Sequence, residues 1–167
     1  QAVRMGQIIR GLLGLVRDQS LVTDRFSPHA VCAEATALVA HRFAETGTEL
    51  HTELALDARG PLLRGDQRLV EQALVNLLLN ACDACAAAAG RPRVELHVRL
   101  EDQEVRFSVI DNGTGISEEA ARRATEPFFT TKPVGKGSGL GLAVAQEIVK
   151  SHRGVLRIGP RGEGGTC

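Results

Sequence analysis

Two glycine clusters, Asp111-Asn112-Gly113-Thr114-Gly115-Ile116 and Gly135-Lys136-Gly137-Ser138-Gly139-Leu140-Gly141-Leu142, constrain this chain more than any other feature. The first follows an alternating run in which Val105, Phe107 and Val109 are interleaved with Arg106 and Ser108, so Asp111 stands where a strand ends. The second opens a segment of helical periodicity from about Leu140 to Ser151. An acceptor at a strand end suits an amino group, the adjoining glycines allow close backbone approach, and a glycine-rich helix start offers amides to phosphate. Either cluster alone marks an ordinary turn; in this order they read as an adenine nucleotide site.

The chain has 167 residues, 43% hydrophobic and 24% charged, which suits one globular domain with a core and a short appendage. Twenty basic and twenty acidic residues cancel, so no global field draws the chain to nucleic acid or an anionic membrane, and anion binding has to be local. The most apolar stretch, Leu74 to Ala89, is broken by Asn76, Asn80 and Asp83, and no signal-peptide pattern opens the chain, so the expectation is a soluble, cytoplasmic location. Cys82-Asp83-Ala84-Cys85 matches C-x-x-C but lies inside an alanine-rich helical stretch rather than at an activated helix start, and it reads as small packing residues. The histidines at 29, 41, 51, 97 and 152 lack ligand spacing.

Met5, Ile8, Leu12 and Leu15, with Ile9 and Val16 beside them, give residues 1–22 the seam of an amphipathic helix that wants a partner. A domain from residue 26 to 167 follows: a helix through Ala44, a half-buried strand over Glu49 to Leu56 and a turn at Gly60-Pro61. Next come a long helix capped by Asp66 and running to about Ala89, then strands over Arg93–Leu100 and Val105–Ile110. A short helix after Ser117, a loop from Thr125 to Ser138, the glycine-opened helix and a last strand over Val155–Ile158 complete it. The expected class is α+β, a two-layer sandwich with an antiparallel-rich sheet covered on one face by helices, preceded by the amphipathic helix.

On the long helix, Gln72, Asn76, Asn80 and Asp83 fall within an arc of about 80°, opposite Val70, Leu74, Leu77, Leu78, Ala81 and Cys85. Such a stripe is ordinarily a solvent face, yet two asparagines four apart are poor helix formers, and amide oxygens suit Mg²⁺ and its waters. Familiar phosphate loops do not fit. Thr130 stands where a P-loop needs its first glycine, and Leu142 where the dinucleotide fingerprint needs its third.

Asn76-Leu77-Leu78-Leu79-Asn80-Ala81, Asp111-Asn112-Gly113-Thr114-Gly115-Ile116, Phe128-Phe129-Thr130-Thr131-Lys132 and Gly137-Ser138-Gly139-Leu140-Gly141-Leu142 resemble the N box, first glycine box, F box and second glycine box of sensor histidine kinases. The resemblance covers about residues 66–158 and implies the Bergerat ATP-binding fold shared with gyrase, Hsp90 and MutL. The opening Arg4 to Leu13 is similar to the second helix of the family's dimerisation and phosphotransfer hairpin.

Carried over, the resemblance makes Asn80 the Mg²⁺ ligand, with Asn76 assisting directly or through water, and Asp111 the acceptor from adenine, with Gly113, Gly115 and Ile116 around the base. Thr125 to Ser138 becomes an ATP lid anchored by Phe128 and Phe129, in which Thr130, Thr131, Lys132 and Lys136 approach phosphates. Asp83 joins the ATP-binding residues, and Gly137, Ser138, Gly139, Leu140 and Gly141 present amides; Asn76, Asn80 and Lys136 are the implied catalytic set. Positioning and charge neutralisation, which these groups supply, are most of what phosphoryl transfer needs.

Four departures shape the expected function. Asn76 occupies the position where hydrolytic relatives carry a water-activating Glu; Asp83 replaces a residue basic in many members; and the chain stops at Gly164-Gly165-Thr166-Cys167, where the resemblance implies that the final strand would begin, so a truncated last strand is expected. No histidine has the context of the family's phospho-acceptor, since His29 is followed by Ala30 and Val31. The implied function is the catalytic domain of a two-component sensor kinase that passes the γ-phosphoryl of Mg·ATP to a histidine on a missing hairpin helix, for relay to a response-regulator aspartate. That chain would bind ATP without labelling itself, and the full protein would be a homodimer, with the inner membrane as a conceivable anchor. Its rivals are a gyrase-, Hsp90- or MutL-like ATPase or clamp, and a degenerate, nucleotide-free interaction module.

Overall fold

The computed structural model describes residues 24–57, 60–132, 137–161 and 165–167. The expected N-terminal helix of residues 1–22 lies outside the described residues, as does Lys136.

Nine elements are present among the described residues: β1 Asp24–Phe26, α1 Pro28–Thr46, β2 Glu49–Ala55, β3 Leu63–Gly65, α2 Gln67–Ala86, β4 Arg93–Glu101, β5 Glu104–Asp111, α3 Glu118–Arg123 and α4 Gly141–Ser151. Local chemistry sets their ends. Ser27 caps α1 by accepting from His29 N–H, Pro28 stands in its first turn, and Gly47 closes it in the left-handed region. Asp66 caps α2 as expected, accepting from the Arg68 and Leu69 amides. That helix stops at Ala86 rather than near Ala89, because the Ala84 carbonyl is taken by Thr114 N–H (3.2 Å) from the first glycine cluster.

The main sheet has the order β2-β4-β5. Its β4–β5 hairpin is antiparallel, turning at Asp102 and Gln103, both with positive φ as a type I′ turn demands. The β2–β4 pair is parallel, with α2 in the crossover, so the sheet is mixed where an antiparallel-rich one was expected. β1 and β3 form a separate antiparallel pair.

One face of the sheet is apolar. Val94, Leu96 and Val98 are fully buried beneath Val31, Cys32, Ala35, Val39 and Phe43 of α1 and Leu74, Leu78, Ala81, Cys82 and Cys85 of α2. The other face carries ion pairs, among them Arg93–Glu95, Arg99–Glu53 and Arg106–Glu101, and a His97–Glu95 contact. By length and composition α2 could cross a bilayer, but its apolar stripe is the core of the domain.

The expected strand Val155–Ile158 is not a strand. Its side chains alternate, with Leu156 and Ile158 turned inward and Val155 and Arg157 exposed, while its backbone joins no ladder among the described residues. Alternation records half-burial, and pairing needs a neighbour with free backbone groups. Beyond Asp111 it is the C-terminal segment that bonds, Asp111 N–H donating to the Thr166 carbonyl (3.0 Å).

Candidate functional site

α2 and α4 run side by side and bring the motifs together. At one end His152 Nε2 accepts from Asp66 N–H (2.9 Å) while its Nδ1 donates to the Ile148 carbonyl (2.8 Å). At the other, Asn76 Nδ2 donates to the Gly141 carbonyl (3.1 Å). Between these ties Ala73, Ala145 and Ile148 are buried with Leu69, Val144 and Leu156 against them. The asparagine helix and the helix opened by the second glycine cluster are therefore held as one unit, and the start of α4 has no side-chain cap.

The first glycine cluster is packed on the end of α2. A Cβ at Gly113 would come within 2.7 Å of the Cys85 amide nitrogen and overlap the Ala84 backbone, and one at Gly115 (φ +74°) would press on Gly165. Asp111 is 4% exposed. Its Oδ1 accepts from Gly113 N–H (2.9 Å) and Thr166 N–H (3.2 Å). Burial pushes its pKa up, against the lowering effect of the Gly113 and Thr166 hydrogen bonds. Asn112 clips the turn to β4, its Oδ1 accepting from Arg93 N–H (2.8 Å) and the Cys85 thiol (3.4 Å) and its Nδ2 donating to the Arg91 carbonyl (2.9 Å).

The end near the start of α4 has a different character. Lys132 Nζ lies 2.7 Å from Asp83 Oδ2 and 3.3 Å from Asn80 Oδ1, and Arg42 of α1 reaches Asp83 Oδ1 at 3.0 Å. Burial raises the Asp83 pKa, but the hydrogen bonds and charges of Lys132 and Arg42 outweigh it and hold the carboxylate below its usual range. Phe128, with φ +69°, is anchored by backbone, its N–H donating to the Gly139 carbonyl (2.8 Å) while its ring is 44% exposed. Phe129 is the half-buried ring, with the Arg123 guanidinium 4.6 Å from its centroid. Gly139 (φ +64°) sits on the Phe128 backbone, and a Cβ at Gly137 would lie 2.8 Å from Thr130 Oγ1.

Asn76, Asn80, Asp83, Lys132, Gly137, Gly139 and Gly141 thus come together, with Ser138 Oγ accepting from Leu140 N–H (3.3 Å) at the entry to α4. Asp111, Gly113, Gly115 and half-buried Ile116 gather at the other end of α2, Thr131 is exposed on the loop, and Gln72 of the polar stripe is simply exposed. Sequence reasoning passed over Thr166 beside Asp111, Arg42 beside Asp83, the Asn112 clip and the His152 tie. A threonine after a glycine pair was the one local sign of these.

The C-x-x-C cysteines are buried free thiols, and burial raises the pKa of Cys85 and takes that of Cys32 up to about 11. A hollow of about 220 Å³ on the open sheet face, between His97, Arg99, Arg106 and Ser108, is built from none of the motif residues.

The family described as "Histidine kinase-, DNA gyrase B-, and HSP90-like ATPase" matches residues 65–167. The chain belongs to this family. The two-component sensor PprA of Pseudomonas aeruginosa is 34% identical over 168 residues, covering 98% of this chain and 18% of that protein. The signal transduction histidine-protein kinase AtoS of Escherichia coli K12 is 31% identical over 154 residues, 92% of this chain and 24% of its own length. Full-length ShkA in complex with AMPPNP superposes with a TM-score of 0.74 at 26% identity, over 88% of this chain and 30% of that one. The chain is a catalytic ATP-binding domain of the sensor histidine kinase kind, in an α+β sandwich, and it spans about a fifth to a quarter of the length of these two curated relatives.

Proposed function

We propose that this domain binds Mg·ATP between Asp111 and the start of α4 and delivers the γ-phosphoryl group to a histidine on a hairpin helix of the same protein, for relay to the aspartate of a response regulator. The observation that carries the reading is the common mounting of both ends of the site on α2, with Asp111 over its C-terminus and Gly141 tied to Asn76. Asp111 Oδ2 accepts from the adenine amino group, Lys132 and Lys136 meet the phosphates, and the amides from Gly137 to Gly141 line their path.

Mg²⁺ suits the donors present: the Asn80 amide oxygen already faces a cation, the Lys132 ammonium, with the Asp83 carboxylate beside it. Asn80 would hold the ion, with Asn76 assisting through water, and the ion would supply charge neutralisation on the phosphates. Asn76, bonded to Gly141 and lacking a carboxylate, is a poor water activator, which favours phosphotransfer over steady hydrolysis. The names of two relatives, a two-component sensor and a signal transduction histidine-protein kinase, support the kinase reading, and the proposal adds a homodimeric full protein with its catalytic domain in the cytoplasm.

Calorimetric titration of ATP with and without Mg²⁺, on the chain and its Asp111→Asn variant, tests the nucleotide site. Adding a separately expressed histidine hairpin with labelled ATP tests the transfer. Label on the hairpin and none on the chain is the expected result; steady phosphate release without any hairpin would instead favour the clamp-type ATPase.

A further inference from the structure

Asp83 accepts from two cationic side chains at the proposed phosphate end, and the chemistry above gives it no step beyond standing beside Asn80. It stands on α2 three residues after Asn80 and receives two cations from opposite sides, Arg42 from α1 on Oδ1 (3.0 Å) and Lys132 from the loop after Phe129 on Oδ2 (2.7 Å). Arg42 is shared with Glu45 of its own helix (3.6 Å), so Lys132 is the cation that Asp83 holds for itself. Lys132 is also seated by its own backbone, whose N–H donates to Thr130 Oγ1 (3.1 Å). The result is an ammonium held within 3.3 Å of Asn80 Oδ1, the oxygen to which the metal is assigned above.

We infer that Asp83 is a positioning residue that stations the Lys132 ammonium at the metal oxygen of Asn80, so that this lysine serves as the phosphate-neutralising cation whenever the divalent ion is absent. The inference rests on the proposed nucleotide site and deepens it. Arg42 completes the device by engaging the other carboxylate oxygen, which keeps Asp83 turned towards the loop. A metal arriving at Asn80 meets an oxygen already shared with an ammonium, and Lys132 is then free to follow the phosphates while still paired to Asp83.

The sign of one substitution separates positioning from bystander electrostatics. Were Asp83 only a nearby negative charge, Asp83→Asn would remove repulsion and tighten nucleotide binding. As a positioning group, its loss loosens binding, chiefly without metal. Calorimetric Kd values for ATP in EDTA and in saturating Mg²⁺ should be compared for the 167-residue chain, Asp83→Asn, Asp83→Glu, Lys132→Met and the Asp83→Asn/Lys132→Met double variant.

Expected are a tenfold or greater weakening in EDTA for both single charge-removing variants and a rise of at least fivefold in the Mg²⁺ stimulation of binding. The double variant should be no worse than Lys132→Met alone, with substantial recovery in Asp83→Glu. Tighter binding by Asp83→Asn, additive single effects or an unchanged Mg²⁺ stimulation would overturn the inference. Asp111→Asn serves as the reference, weakening both conditions alike. If Asp111→Asn behaves so and the Asp83 and Lys132 variants are silent, only this inference fails, whereas absence of binding by the parent chain removes the nucleotide reading and the inference together.

Discussion

Asp111 is 4% exposed and its Oδ1 is bonded by two backbone amides, whereas the Asp83 side chain is 29% exposed and is bonded by two long cationic side chains from different elements. Backbone donors are part of the fold, so the acceptor at the proposed adenine end is in place before any ligand arrives. Charged side chains on surface elements lose rotamer entropy when they pair and are screened by salt, so the phosphate end can rearrange at little cost. A nucleotide domain has use for both: a rigid reader for the invariant base, and an adaptable end for phosphates whose charge changes with metal and with transfer.

The hardest test of rigidity at the adenine end is Gly113→Ala. The new methyl would meet the backbone of Ala84 and Cys85, which cannot move without disturbing the end of α2. A loss of about 3 kcal/mol in stability is expected by denaturant titration, with nucleotide binding abolished. Unchanged stability would mean that the glycine cluster is a loop resting on the helix rather than part of its packing.

Next in size is the dissociation of binding from stability in Asp111→Asn. The amide oxygen still accepts from Gly113 and Thr166, but adenine loses a charged acceptor, so ATP affinity should fall roughly thirtyfold, on the order of 2 kcal/mol. Stability should hold or rise, because the burial that raises the carboxyl pKa makes the ionised group a cost in the folded state. The two carboxylates then oppose each other on acidification. The Asp111 cost is relieved as pH falls through its raised folded value towards the ordinary range near ~4, and Asp83, held low, loses its contribution only as pH falls below that range to its own folded value. Urea titrations from pH 7 to 3 should show that stability of Asp111→Asn drops earlier relative to its neutral value than that of the parent, and that of Asp83→Asn later.

The seam between α2 and α4 ranks third. His152→Ala leaves the Asp66 amide without its acceptor and opens the space that Gly65 was shaped to leave for the ring, since a Cβ at Gly65 would overlap the imidazole. A cost of about 1–2 kcal/mol is expected. Because Asn76 and Gly141 sit at the far end of the same seam, Mg·ATP should weaken several-fold while Mg-independent adenosine binding at Asp111 is spared. Equal weakening of both would show that the two ends are not separately mounted.

What the sequence displayed of this arrangement was its local part. Asp66, the stretch after Ser117 and the alternation of Val105, Phe107 and Val109 announce a cap, a short helix and a strand through near neighbours alone. The asparagine stripe and glycine clusters were legible because helix geometry and glycine's open φ space turn spacing into placement. What stayed hidden lay in long-range pairings: β2 beside β4 in parallel, Thr166 beside Asp111 across 55 residues, Asp66 against His152 across 86, and Arg42 on Asp83 across 41. The Val155–Ile158 alternation misled for the same reason, since a period of two records which side chains are buried and not whether a ladder partner exists.

The smallest expected effect is also the cleanest control on the comparison. Arg153 follows the C-cap of α4 in the left-handed region, with φ +60°, its N–H donating to the Lys150 carbonyl (2.9 Å) and Gly154 N–H to that of Val149 (2.9 Å). A non-glycine residue there costs about 1–2 kcal/mol, while glycine would return roughly 0.4–1 kcal/mol to the unfolded chain as entropy. The difference leaves Arg153→Gly more stable by about 0.5–1 kcal/mol, a rise of a few degrees in Tm for a domain of this size. Arg153 is exposed and lies at the end of α4 opposite Gly141, so ATP affinity should stay within twofold in EDTA and in Mg²⁺. Tightened binding on top of the added stability would show that fraying of α4 normally reaches its glycine-rich start, and that the phosphate end owes its adaptability to the helix as well as to the side chains of Lys132 and Arg42.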